Sequence, residues 1–222
     1  MMVHGKMIVL GKSILPAILI GSLLGAQAAF AGIITGSAHD FSLSSWAGGQ
    51  ICVACHAPHR TNPFSPAAPM WNHQESTMVY RLYSSAVMKA TMQQPSPMSK
   101  LCLSCHDGTI AIDSFGGNVG SRFISQANNL GTDLNVHHPS SFTYDAALAA
   151  LSPSLFNPDS KVVTVGAGGQ TKTGTIASVM LYDNQVECSS CHDVHNTFSA
   201  TNVALMKVTE QGSAICFACH NF

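Results

Sequence analysis

The chain of 222 residues holds eight cysteines, and all eight fall into one repeated arrangement. Cys52-Val53-Ala54-Cys55-His56, Cys102-Leu103-Ser104-Cys105-His106, Cys188-Ser189-Ser190-Cys191-His192 and Cys216-Phe217-Ala218-Cys219-His220 each set two thiols three residues apart, with a histidine directly behind. Residues at i, i+3 and i+4 share one face of a helical turn. Two thiols so placed can form thioethers with the vinyl groups of one porphyrin while the imidazole reaches its iron, which is the attachment signature of c-type haem. Disulfides give no reason for a histidine behind every second cysteine, and Cys/His zinc sites space their histidines differently. The motifs therefore call for four covalent haem c groups. Cys52, Cys55, Cys102, Cys105, Cys188, Cys191, Cys216 and Cys219 supply the thioethers, and His56, His106, His192 and His220 the proximal ligands.

The second axial ligand must come from elsewhere. Beyond residue 31, six other histidines (His39, His59, His73, His137, His138 and His195) compete with seven methionines. Six spare imidazoles for four irons favour bis-histidine ligation, which leaves no open position for a substrate. His59 and His195 each follow a motif histidine by three residues, in short constrained loops, and each is expected to ligate a neighbouring haem. His39 and His138 complete the set, His138 being held by Pro139. His73 follows Trp71-Asn72 and is better placed to hydrogen-bond a propionate. His137 and His138 are adjacent and cannot easily address one iron. Asp107 and Asp193, each directly behind a motif histidine, are candidates to support the haem ligands from behind, although residues so placed are more often solvated or bonded to local backbone. Trp46, Trp71, Phe115, Phe142 and Phe198 are expected to pack in the core or against haem.

These side chains need an exported, haem-wrapped scaffold. Lys6 and Lys12 precede an apolar run from Ile14 to Leu24, and Ala29-Phe30-Ala31 forms a small-x-small cleavage site. Residues 1–31 read as a secretory signal and 32–222 as the tetrahaem domain. The apolar run, broken by Pro16 and Gly21, is too short to span a bilayer. Charged residues make up only 9% of the chain, against about a quarter in ordinary domains. Beyond residue 31 there are 8 Lys/Arg against 11 Asp/Glu, a net charge of −3. Such a weakly charged surface is poorly defended against self-association, and no basic patch points to nucleic acid.

The expected fold is mostly coil with short helices and a small β-hairpin, wrapped around four stacked haems. The prolines at 58, 63, 66 and 69 make 57–71 extended or turning. Residues 75–92 fit a helix or an extended chain. Asp145 caps a helix over Ala146–Leu151 that Pro153 stops. Lys161–Val165 and Ile176–Tyr182 flank a glycine-rich stretch and read as a hairpin, expected to be a surface flap because it carries no haem ligand. CVACHAPHR (52–60) and CSSCHDVHN (188–196) echo one another. The motif histidines are 50, 86 and 28 residues apart, so any duplication is eroded.

GSAHDFS (36–42), CVACHAPH (52–59), PMWNH (69–73), YRLYSS (80–85), LCLSCHDGTIA (101–111), HPSSF (138–142), VECSSCHDVHN (186–196) and ICFACH (215–220) together resemble secreted tetrahaem c-type cytochromes with doubled Cys-x-x-Cys-His motifs. That group includes extracellular cytochromes that polymerise into nanowires. The resemblance implies bis-histidine haems in alternating parallel and T-shaped pairs, along which electrons hop. In a filament it implies a histidine that ligates a haem of the next subunit, with His39 the first candidate and His59 the second. The implied partners are other copies of the chain in a helical homopolymer, further redox cytochromes and an external electron acceptor. A soluble periplasmic shuttle uses the same ligands, and differs only in whether all four distal histidines come from one chain. An enzyme would need an open iron or an altered motif.

Overall fold

The computed structural model describes residues 1–2, 33–57, 70–167, 170–201 and 204–221. The chain divides into Met1–Phe30 and Ala31–Phe222, and all that follows concerns the second unit. The expected signal, the proline-rich run at 58–69 and His59 lie outside the described residues. Among the described residues no helix is long and apolar enough to cross a membrane.

Regular structure is sparse because serine, glycine and proline interrupt every apolar run. The longest helix, α1 (Pro97–His106), has the signals such a helix needs. Ser96 caps it by accepting from Ser99 N, and Pro97 occupies the first turn, where its missing N–H costs nothing. It buries Leu101 and Leu103 and carries the second motif on its last turn. Gly108 ends it with φ +70, and a Cβ there would fall 2.2 Å from the Asn129 side chain. Only glycine fits this left-handed, crowded turn.

Residues 75–92 form no helix: they run extended to 85 and then turn, with Met88 N donating to Ser85 O. The Gln94 side chain substitutes for a neighbouring strand: its Oε1 accepts from Tyr80 N at 2.9 Å and its Nε2 donates to Tyr80 O at 2.9 Å. Arg81 pairs with Asp133 in both backbone and side chain.

Asp145 caps α2 (Ala146–Leu151) as expected, accepting from Leu148 N at 2.8 Å. It follows β1 (Phe142–Thr143), which pairs antiparallel with β4 (Gln185–Val186) and so brings 142 against the start of the third motif. The hairpin is β2 (Val162–Ala167) with β3 (Gln170–Thr175), in register from Val162↔Thr175 to Ala167↔Gln170. Two expectations fail here. The second strand runs through Thr171, Thr173 and Thr175, whose β-branched side chains suit a strand, while Ile176–Val179 forms a helical turn, α3, capped by Thr175. The hairpin is also no surface flap. Val165 and Ile176 are fully buried in a cluster with Phe142, Tyr144, Leu148, Val179, Met180 and Val186. Gly166 N donates to Lys207 O, and Lys207 N to Cys191 O, tying the hairpin to the third motif. Two short helices, α4 (Cys188–Cys191) and α5 (Ala214–Phe217), carry the last two motifs.

Candidate haem-binding site

All four motifs adopt the same local geometry. The amide of the motif histidine reaches back to the first cysteine's carbonyl in three of them: His56 to Cys52 at 2.8 Å, His192 to Cys188 at 3.1 Å and His220 to Cys216 at 2.8 Å. The second motif sits in α1 itself. Each is one helical turn, with both sulfurs and the imidazole on one side, and all eight cysteines are free thiols.

Each turn is anchored from outside. Cys55 O accepts from Asn72 N, Ala57 N donates to Met70 O, and the Trp71 ring stands perpendicular to His56 at 6.0 Å. His106 O accepts from Leu130 N. The fourth motif is held by the loop after α2, where Phe156 N donates to Cys219 O and Asn221 N to Ser154 O.

Three distal candidates face three proximal histidines. The ring centres are 6.1 Å apart for His39 and His106, 6.3 Å for His56 and His195, and 6.5 Å for His138 and His220. An imidazole nitrogen about 2.0 Å from a first-row metal ion, with its ring centre about 1.1 Å further back, puts two trans imidazoles about 6.2 Å apart. The pairs therefore have the spacing that an iron between them requires. The histidines come in twos: among the described residues no three His, Cys, Asp or Glu side chains converge on a common point.

Ring orientation supports the same use. His106 Nδ1 is 2.9 Å from Asn128 O, His192 Nδ1 2.8 Å from Ala204 O, and His138 Nδ1 2.9 Å from Pro139 O. A carbonyl only accepts, so Nδ1 carries the proton in each ring and Nε2 keeps its lone pair. His39 must also be neutral to ligate. Burial, then the neighbouring His106 and His192, pulls its pKa down to about 4. Behind it Phe41, Trp46 and Phe115 form a chain of touching rings.

The cysteines of successive motifs are neighbours. Cys55 acts electrostatically on Cys105, Cys188 on Cys102, and Cys216 on Cys191. Burial pushes the Cys55 thiol up to about 11, and those of Cys105 and Cys219 up to about 12.

Other histidines do different work. His73 is buried with Nδ1 2.8 Å from Gln74 O and Nε2 3.1 Å from Ala111 O, and lies 3.5 Å from Cys105 Sγ. Burial lowers its pKa, and the neutral ring donates to one of these two carbonyls while packing against the second motif. His137 Nε2 contacts Leu130 O at 3.3 Å. His59, expected to serve a neighbouring haem, lies outside the described residues, and His192 is the one motif histidine with no ring-to-ring distal partner among them.

Two carboxylates are buried. Asp107 bonds local backbone as expected, accepting from Thr109 N and Oγ1 at 2.7 Å, but it is not solvated and also accepts from the remote Tyr80 Oη at 2.6 Å. Burial alone would raise its pKa, but the bonds from Ser76, Tyr80 and Thr109 outweigh it and hold Asp107 below its usual value. Asp193 follows expectation, accepting from the backbone N–H of His195 and Phe198. Phe142 and Phe198 belong to the apolar cluster. Glu187, given no role from the sequence, is fully buried beside Cys188. Its only sequence signal is an acidic residue directly ahead of the motif.

Residues 182–222, which hold the third and fourth motifs, match the doubled CXXCH motif family. This supports a multihaem c-type cytochrome with covalently attached haem c. The function that goes with it is electron transfer. No curated protein matches the chain.

Proposed function

We propose that the chain carries four bis-histidine haem c groups and moves single electrons among them. The observation that carries this reading is the spacing of the three histidine pairs, 6.1 to 6.5 Å between ring centres. His39 serves the second motif, His195 the first and His138 the fourth. The internal echo then completes the set. His195, three residues behind the third motif histidine, stands over the first, so His59, three behind the first, is the reciprocal ligand for His192. Haem c supplies an iron that accepts and releases one electron without taking up substrate. The protein's part is placement. The CxxCH turns fix each porphyrin at three points, the Nδ1 bonds fix ring rotation, and neutral imidazoles such as His39 keep their lone pairs available.

The larger setting we propose is an extracellular filament built from copies of this chain and exported by the leader at residues 1–31. The low charge and the resemblance to filament-forming cytochromes support it. Head-to-tail contacts that do not close generate such a polymer. With His39 against His106 of its own chain, His59 becomes the better candidate to cross into the next subunit. The competing reading is a self-contained periplasmic shuttle, and the observation favouring it is that three pairs close within one chain.

Cryo-electron microscopy of the secreted haem-bearing fraction tests both levels. Four haems, each between two histidines, are expected. A continuous haem row with His59 reaching a neighbour's His192 establishes the filament, and discrete particles with four intrachain pairs establish the shuttle. An iron with an empty axial position overturns the ligand assignment.

A further inference from the structure

We infer that Glu187 is a positioning residue for electron transfer: it locks the haem-bearing helices α1 and α4 together and its charge lowers the potentials of the two haems they carry. The inference rests on the four-haem reading above.

The carboxylate is only 2% exposed. Its Oε2 accepts from the hydroxyl of Ser99, on α1, and from that of Ser141 at 2.9 Å, on the loop entering β1. Ser99 Oγ also accepts from Cys188 N at 3.2 Å, and Ser141 Oγ accepts from Ser96 N at 3.0 Å, at the cap of α1. Glu187 N donates to Ser190 Oγ at 2.9 Å, inside α4. One side chain thus joins the cap of α1, the body of α1, the strand entry and the start of α4. Beside this clasp Cys188, whose N–H bonds Ser99, and Cys102, one turn along α1 from Ser99, are close enough to interact electrostatically. These are the first thioether positions of two different haems, so whatever sets the distance between α1 and α4 sets the approach of those porphyrins.

Stability alone gives little reason for a charge here. Ser99 and Ser141 could pack against an amide, and among the described residues Oε1 has no hydrogen-bond partner, a costly state for a buried oxygen. Among the described residues the ion pairs are Arg81–Asp133 and Arg122–Asp113, and neither reaches Glu187. A carboxylate held by two hydroxyls keeps most of its field, and negative charge beside a haem favours the oxidised iron.

The test is a potentiometric titration, followed by visible and EPR spectra, on the holoprotein and two variants. Haem content is measured first, so that a failure of the four-haem reading shows itself separately. Glu187→Gln keeps the shape and removes the charge. Two of the four midpoint potentials are expected to rise, each by at least about a threefold change in the reduction equilibrium constant, while the other two stay in place. Ser141→Ala keeps the charge and removes one compensating donor, so the same two potentials are expected to fall. A purely structural clasp would move both variants in one direction. Unchanged potentials in a four-haem Glu187→Gln protein, or equal shifts at all four haems, overturn the inference. If Glu187→Gln does not retain haem, the Ser141→Ala sign decides, and no fall there is equally fatal to it.

Discussion

Residues 142–221 and residues 33–136 carry two motifs each, yet they are built differently. The later region has an aliphatic and aromatic core of its own, with Phe142, Tyr144, Val165, Ile176, Val179 and Met180 packed between the hairpin, α2 and α3. Among the described residues the earlier region has one α-helix, three single 3-10 turns and no strand pairing beyond isolated bridges. It is held by side-chain bonds such as Gln94 to Tyr80 and Tyr80 to Asp107. It also leaves Leu43, Val79, Val87, Val119 and Val136 exposed. A region that buries its own apolar surface can order itself, whereas one that leaves such surface uncovered needs something else to cover it. Porphyrins attached at the CxxCH motifs would offer that surface.

The largest effect that separates the two regions is expected on preventing haem attachment. With all eight cysteines replaced by serine, amide exchange should stay slow in parts of 142–186 and become fast across 33–136. Equal loss in both would break the comparison. Next is Ile176→Ala, a cavity in the one protein-built core, which should cost about 2–5 kcal/mol in urea unfolding of the holoprotein. A cost under about 1 kcal/mol would show that the haems support this region too. Tyr80→Phe removes a donor from buried Asp107 and should cost about 1–3 kcal/mol, read in the same experiment.

The smallest effect is one of pH. Asp107 has its folded pKa held below its ordinary 3.8. The stability it contributes is therefore complete above about pH 4 and is lost as pH falls through the folded value. Unfolding midpoints at pH 6 and pH 3 should differ more in the wild type than in Tyr80→Phe, where Asp107 loses part of what favours its charged form. An identical pH response would detach Asp107 from this network.

The comparison also explains what the sequence could disclose. The helix at 146–151 was legible because its cap and its proline stop are local signals. The CxxCH turns were legible because spacing alone dictates them. The hairpin's depth was not, since the burial of Val165 and Ile176 depends on β1, β4 and the segment at 205–208 arriving from elsewhere in the chain. His39, His138 and His195 could be shortlisted by elimination, but their pairing with His106, His220 and His56 joins residues 67, 82 and 139 apart, and no local pattern encodes it. The local backbone bond of Asp107 was legible from its position, but its burial was not, because Tyr80, the donor that makes that burial tolerable, is remote in sequence. Glu187 was hidden for the same reason, its serine partners lying 88 and 46 positions away.

The carbonyls of Asn128, Ala204 and Pro139 that hold the rings of His106, His192 and His138 belong to the main chain, and every residue type provides one. The loops that supply them are free to drift in sequence while the rings stay fixed, provided loop length and path are kept. A main-chain tether would hold each ring alike in both oxidation states of an iron bound there. The proposed electron transfer would then need little rearrangement at these rings, a property set by backbone path and beyond the reach of most point mutations.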